Sequence, residues 1–415
     1  MLGCKKDKDT QAPVVKIISP NENQNFMVGD TIQLNFEITD DTKIESVNIS
    51  IIDENQIPIL PNFLLLNISN GSKLNQPIPI DNTAIASGNY FISIRVSDGK
   101  NEQTYFRKIY INELPLKRKA VFFISENSGQ FQVNKIDSAF AIQFAYPLSG
   151  DFIGSAIDSK NKLLVTAGEF TGKLQSANTQ GYSVNWSESP ITSSTPYYRN
   201  ISRGNDLNFV SYATGFIKGF DFTGAIKYTS TSDQGVYIPL KTGVSSKYIL
   251  NEQTKVVGIG KKLVLYYYPS GIDKQEVNFT GDVVAIYPKK EDEFFVFYNV
   301  ASIGKISIYS VSSNSITYTY SSPSLNRIIS SLALSGNNFL VGTDNGIYSF
   351  QYNPTNFIPF ISSIKADKIK YDEANNEIII AAKNKMYFYD YASVLLQNTV
   401  TTADSICDLQ VLYNR

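Results

Sequence analysis

Chemistry in this sequence has to be done without histidine, of which there is none. That absence removes Ser-His and Cys-His nucleophile activation, imidazole acid–base catalysis and His-ligated zinc, copper or haem. Carboxylates, tyrosines, lysines and oxygen-ligated ions remain. One set of carboxylates recurs: Asp151 in "SGDF", Asp282 in "TGDV", Asp367 in "KADK" and Asp404 in "TADS", each just before an inner-strand candidate. Four carboxylates around one channel mouth could hold a cation or a polyol. Side-chain turns that start a strand account for them equally, and repeats reproduce structural turns more often than sites. A second candidate is the long connection "SPITSSTPYYRN", which carries Tyr197, Tyr198 and Arg199. Tyr and Arg are enriched where binding energy concentrates. These seven residues form the candidate binding face, and exposed tyrosine on a Tyr-rich chain is the plain alternative for the aromatics.

No residue is assigned as catalytic, no metal ligand set is found and no cofactor is expected. The glycines of "VGIGKK" fall inside a hairpin rather than between a strand and a helix, so they do not form a phosphate loop. "TDNGIY" and "DEANNE" lack the ligand spacing of a calcium-binding EF-hand. No basic stripe interleaved with aromatics points to nucleic acid. A glycosidase's carboxylate pair is set only in three dimensions, so a carbohydrate-active enzyme stays open as an alternative to a non-catalytic protein.

The elements that would position these residues are strands. Of 415 residues, 42% are hydrophobic and 13% aromatic, ample for large cores, while only 18% are charged and the net charge is −1. Near-neutral charge gives no field that would favour nucleic acid or an anionic membrane. The two cysteines, Cys4 and Cys407, do not make a disulfide framework or a metal clip, although a bond between them is open. No stretch of about 18 apolar residues is present to span a bilayer.

From Ala12 onward the pattern has period two. In "TIQLNFEITD" Ile32, Leu34, Phe36 and Ile38 alternate with polar residues; "SVNISIID" and "NYFISIRVSDG" do the same. Such alternation predicts half-buried antiparallel strands, and turn signals separate them, so 12–113 reads as a sandwich. The stretches "ISPNENQNFMVGDTIQLNFEITDD" and "SGNYFISIRVSDGKNEQTYFRKIYI" resemble bacterial immunoglobulin-like modules. Asp40, Asp41 and Asp98 suit either turns or calcium held between modules.

After "NELPLKRK" a hairpin unit recurs, beginning near residues 119, 161, 205, 253, 292, 337 and 376, at intervals of about 39–48 residues. Further strands precede the hairpins, among them "FIGSAIDSKN", "RNISRGND", "VVAIYPKKED", "IISSLALSGN" and "KIKYDEANN". Four strands at a period of about 40–45 residues make one propeller blade, so residues 118–415 should form seven. The first hairpin has a charged link where its inner strand should be, and the chain ends on an unpaired candidate, "SICDLQVLYNR". The C-terminal strand should therefore complete the first blade and close the ring, with Cys407 a buried small hydrophobe. The unit is similar to seven-bladed propellers of the WD40-like or YVTN-like kind. It lacks repeated Trp-Asp and the other familiar blade signatures, and with only Trp186 it lacks the tryptophan-docking pattern of quinoprotein dehydrogenases.

At the other end, "LGC" at 2–4 resembles the end of a bacterial lipobox, which implies lipid on Cys4, a signal peptide before it and a tether over 1–11. Tether, sandwich and disk together are similar to surface lipoproteins of Bacteroidota-type outer membranes. That resemblance implies an all-β, lipid-anchored, surface-exposed, non-catalytic binding or scaffold protein. Its partner would be an outer-membrane or extracellular protein or a glycan. The alternatives are the carbohydrate-active propeller enzyme using carboxylates and an accessory subunit of an export or uptake complex.

Overall fold

The computed structural model describes residues 11–191, 195–233, 235–321, 325–362 and 364–415, and these contain strands and turns but no helix. Cys4 lies outside the described residues, as do 192–194 of the long connection. The chain divides into two compact units, one ending at Leu116 and the other spanning Lys117–Asn414.

The first unit has two sheets. Val14–Ser19, Thr31–Thr39 and Ser72–Pro79 make one; Gln24–Met27, Glu102–Asn112, Gly88–Ser97, Ile44–Ile52 and Phe63–Ile68 make the other, in that order. Their alternating residues do what period two requires. Ile32, Leu34, Phe36 and Ile38 from one sheet meet Val47, Ile49, Ile92, Ile94 and Val96 from the other in a single buried core.

The second unit is built from four-stranded antiparallel sheets, seven among the described residues. Six use consecutive strands. The seventh joins both ends of the unit: Ser405–Tyr413 pairs beside Arg118–Asn127, with Leu409 opposite Phe123 and Val411 opposite Val121. The first strands of the other six sheets are Gly154–Asp158, Tyr198–Gly204, Tyr237–Val244, Asp282–Lys290, Ile328–Ser335 and Lys368–Asp372. Each neighbours the next, and Ser405–Tyr413 lies between the last and the first, so the inner strands form a closed ring. Arg118 adds to the closure through ion pairs with Asp372, at 2.8 Å, and with Glu377.

Each sheet is covered on both faces by its neighbours, so the second strands are apolar runs rather than alternating ones: Leu163–Ala167 and Ile378–Ala381 are buried throughout. Inner strands crowd together, and small residues permit it. A Cβ on Gly243 would sit 2.4 Å from Cγ2 of Ile286 on the next inner strand.

The hairpin expected near 253 is where structure and sequence part. The repeat there, "QTKVVGIGKKLVLYYYPSG", opens on a polar pair followed by an apolar stretch in the place of a first strand, but the strand is Tyr248–Lys255 and residues 256–260 are the turn. Asn251, Glu252 and Gln253 are buried in that strand because each finds partners. Asn251 donates to the Lys241 carbonyl, Glu252 takes Lys261 Nζ at 2.8 Å and the Val283 N–H, and Gln253 donates to the Tyr266 hydroxyl. Buried polar groups are tolerated when bonded, and a hydropathy pattern does not register that. Cys407 also differs from expectation. It is a free, half-buried thiol rather than a fully buried one, and burial raises its pKa to about 11.

Candidate functional site

The four repeated aspartates do not share one site. Asp151 and Asp404 line one cavity of about 550 Å³, whereas Asp282 and Asp367 line another of about 670 Å³. Each is engaged by its own chain. The Asp151 carboxylate accepts the N–H groups of Glu169, Phe170, Thr171 and Gly172, at 2.7–3.1 Å. Burial alone would raise its pKa, but these donors together hold it below the usual carboxylate range. Asp367 accepts the Lys383 N–H at 2.8 Å, Asp404 accepts from the Gln132 amide at 3.3 Å, and Asp282 pairs with Lys261 at 2.6 Å. These contacts fasten inner-strand entries to hairpins. They correct the picture of four carboxylates converging on one ion, and among the described residues no cluster of three or more carboxylates or thiols is placed to hold a metal.

The aromatic candidates are also redistributed. Tyr198 is completely buried. Its ring meets Tyr197 at 4.8 Å and Tyr212 at 5.3 Å, and the Tyr198 and Tyr212 hydroxyls both donate to the Glu188 carboxylate. Burial first, and Glu188 second, raise both phenol pKa values strongly. Tyr198 is thus a core residue and has no surface to offer a partner. Tyr197 is half-buried, and Arg199 is turned toward Glu169 at 3.5 Å.

Two features take the place of these candidates. The first is the central cavity inside the ring of inner strands. Lys241 enters it from Tyr237–Val244, Lys368 and Lys370 from Lys368–Asp372, and Asp408 and Gln410 from Ser405–Tyr413. Asp408 accepts the Ser155 N–H and hydroxyl, at 3.0 and 2.8 Å, and lies 4.0 Å from Lys368 Nζ. Lys370 Nζ donates to Gln410 Oε1 at 3.3 Å and Lys241 Nζ to Asn200 Oδ1 at 3.2 Å. Burial pulls the pKa of both lysines down and repulsion from Lys368 adds to this in each, while Glu252 and Asp408 oppose it at Lys241 and Asp408 opposes it at Lys370. Sequence inspection missed this group because its members are far apart in the chain and converge only through the ring. Tyr237–Val244 itself is interrupted by Pro239 and Lys241 and carries no clear strand pattern in the sequence.

The second feature is the misread turn. Val257 is 84% exposed and Ile259 101%, with Val236 and Val256 also exposed and joined by the Val256 N–H to the Val236 carbonyl. Each sheet is antiparallel and each fourth strand leads straight to the next inner strand. The turns between second and third strands therefore share one face with the linkers into the inner strands, and this apolar tip lies on that face.

Comparison with known proteins gives the fold its context. A family model described as a domain of unknown function, DUF4625, matches residues 2–58. No curated protein matches the sequence. Among solved structures, a quinoprotein alcohol dehydrogenase-like protein from Bacteroides thetaiotaomicron superposes with a TM-score of 0.50 at 12% identity, covering 98% of this chain and 100% of that one. The WD40 β-propeller domain of Doa1 gives 0.48 at 12% identity, covering 64% and 86%. BamB from Moraxella catarrhalis gives 0.40 at 10%, covering 69% and 91%. At such identities the likeness is one of fold: the chain is all-β, and its structural neighbours include β-propellers.

Proposed function

We propose that this chain is a non-catalytic binding protein. In this reading residues 118–415 are a seven-bladed β-propeller closed by the C-terminal strand, residues 12–113 are an immunoglobulin-like spacer, and lipid on Cys4 tethers both at the surface of a bacterial outer membrane. The partner is an outer-membrane or extracellular protein, docking on the face that carries the inner-strand linkers.

The observation that carries this reading is the apolar tip at Val257 and Ile259. Aliphatic side chains held clear of their own fold on a short turn are suited to desolvation by a partner. The non-catalytic part is supported by the aspartates: both Asp151 oxygens are taken by backbone N–H groups, and Asp282, Asp367 and Asp404 each give one oxygen to a lysine, a backbone N–H or an amide of the same chain.

The test is photo-crosslinking in the native host, with the crosslinking residue replacing Val257 or, as a control, exposed Lys160 in the turn after Gly154–Asp158 at the opposite end of the sheets. A discrete adduct from position 257 alone supports the reading. Adducts from neither position, or a contact mapped to residues 12–113, overturn it. Mass spectrometry of the native N-terminal peptide tests the lipid on Cys4.

A further inference from the structure

The central cavity holds more positive charge than its own chain neutralises. Its basic side chains are Lys241, Lys365, Lys368, Lys370 and Arg327, against Asp282, Asp367 and Asp408. The rim groups are largely spoken for: Asp282 pairs with Lys261, Lys365 with Asp344 at 2.9 Å, and Asp367 caps a backbone N–H. Inside are three ammonium groups and one carboxylate. Asp408 already accepts two hydrogen bonds from Ser155 and approaches only Lys368, at 4.0 Å.

Lys241 and Lys370 have no carboxylate within ion-pair distance among the described residues. Each donates to a single neutral amide oxygen, at 3.2 and 3.3 Å, although an ammonium has three protons to give. Half-buried cations with so few partners carry a desolvation cost that an anion in the cavity would offset. The two lysines also stand apart around the ring. Between their strands lie Asp282–Lys290 and Ile328–Ser335 on one side, and Ser405–Tyr413, Gly154–Asp158 and Tyr198–Gly204 on the other. A charge placed between them on the axis would meet donors from both sides.

We propose that this cavity binds a small multivalent oxyanion, a phosphate, sulfate or polycarboxylate group, gripped between Lys241 on one side and Lys368 with Lys370 on the other. Asn200 flanks Lys241 and can bond a remaining oxygen of the ligand, whereas the Gln410 amide is held by the Ser155 carbonyl and hydroxyl and serves to orient Lys370. The volume, about 670 Å³, suits a metabolite-sized molecule rather than a polymer. Lysine ammonium groups act as point charges and fit tetrahedral and planar oxyanions alike, which is why the shared chemistry defines the class. Arg327, exposed at the mouth and without a side-chain partner among the described residues, draws anions toward the opening. The inference rests on the propeller reading of the unit but not on the apolar tip.

Calorimetric titration of the full chain at low ionic strength tests it, with inorganic phosphate, sulfate and citrate as separate probes and glycerol as the uncharged control. At least one oxyanion should bind at one per chain, and the stronger of phosphate and citrate identifies a phosphate or a carboxylate ligand. The Lys241→Gln and Lys370→Gln variants should each weaken binding at least tenfold, and Lys160→Gln should leave it unchanged. Independently of any variant, the wild-type thermal midpoint should rise with the binding anion and not with sodium chloride at equal ionic strength. Absence of binding by all three anions, or equal binding by the Lys241→Gln/Lys370→Gln double variant, overturns the proposal. A protein that crosslinks its partner through position 257 yet binds no oxyanion overturns this inference alone. One that binds oxyanion in a lysine-dependent way but crosslinks nothing overturns the docking reading and supports this one.

Discussion

Lys370 and Gln410 come from neighbouring inner strands, Lys368–Asp372 and Ser405–Tyr413, and the lysine ammonium rests 3.3 Å from the glutamine amide oxygen. That neutral dipole is its hydrogen-bond partner among the described residues, and Asp408 acts on it only through space. The arrangement has a consequence for stability as well as for binding.

Burial holds the folded-state pKa of Lys370 below its unfolded value near 10.4. Between those two values the unfolded chain carries more protons, so stability contributed by this site rises with pH across the window. Lys370→Gln should therefore raise the urea midpoint at pH 8, and its advantage should vanish above about pH 10.4. Urea titrations of both proteins across that range check the sign.

Closure by the last strand should be indispensable. Leu409 is fully buried among Val121, Phe123, Ile379 and Ala381, so Leu409→Ala should cost about 2–5 kcal/mol in chemical denaturation. Deleting 405–415 should do something different in kind. It strips the partner from Arg118–Asn127 and leaves an exposed edge, so size-exclusion chromatography should show aggregation rather than a weakened monomer.

Gly243 should tolerate no β-branched side chain. A Cβ there would lie 2.4 Å from Ile286 Cγ2 and 2.9 Å from its carbonyl oxygen, and the latter belongs to a paired strand that cannot move aside. Gly243→Val should cost roughly 1–3 kcal/mol, the usual range for overpacking, and calorimetry measures it.

Asp151 should behave as a structural cap. Asp151→Asn can keep an oxygen for the Glu169, Thr171 and Gly172 N–H groups but turns an amide nitrogen toward the Phe170 N–H, and should cost about 1–3 kcal/mol. Because the folded-state pKa is lowered, the carboxylate's contribution is present above its unfolded value near 3.9 and is lost as pH falls through the lower folded value. The difference between wild type and variant should accordingly shrink in acid, as pH-dependent melting would show.

Tyr198 and Val257 should separate core from surface. Tyr198→Ala opens a cavity beside Tyr197 and Tyr212 and should cost about 3–5 kcal/mol, so it cannot report on docking. With the crosslinking residue kept at position 257, Ile259→Asp should change stability by no more than about 0.5 kcal/mol while abolishing the adduct.

The sequence by itself determined the strands and their grouping. Period-two alternation in residues 12–113 is visible because those sheets have one dry face, as the buried Ile32, Leu34, Phe36 and Ile38 illustrate. The recurring hairpins are visible because each sheet repeats the same burial along the chain, and the unmatched strand at 405–413 announced its place beside the first hairpin. Only the tertiary structure decided which side chains face the axis and which are exposed. Asn251, Glu252 and Gln253 look like surface and are core, because partners distant in sequence satisfy them. Val257 and Ile259 look like core and are surface, because local hydrophobicity does not encode where a turn falls. Lys241 and Lys370 lie 129 positions apart in the numbering and belong to one cavity only because the inner strands close into a ring, and charge in such a cavity depends on what stands across the axis rather than on what stands next in the chain.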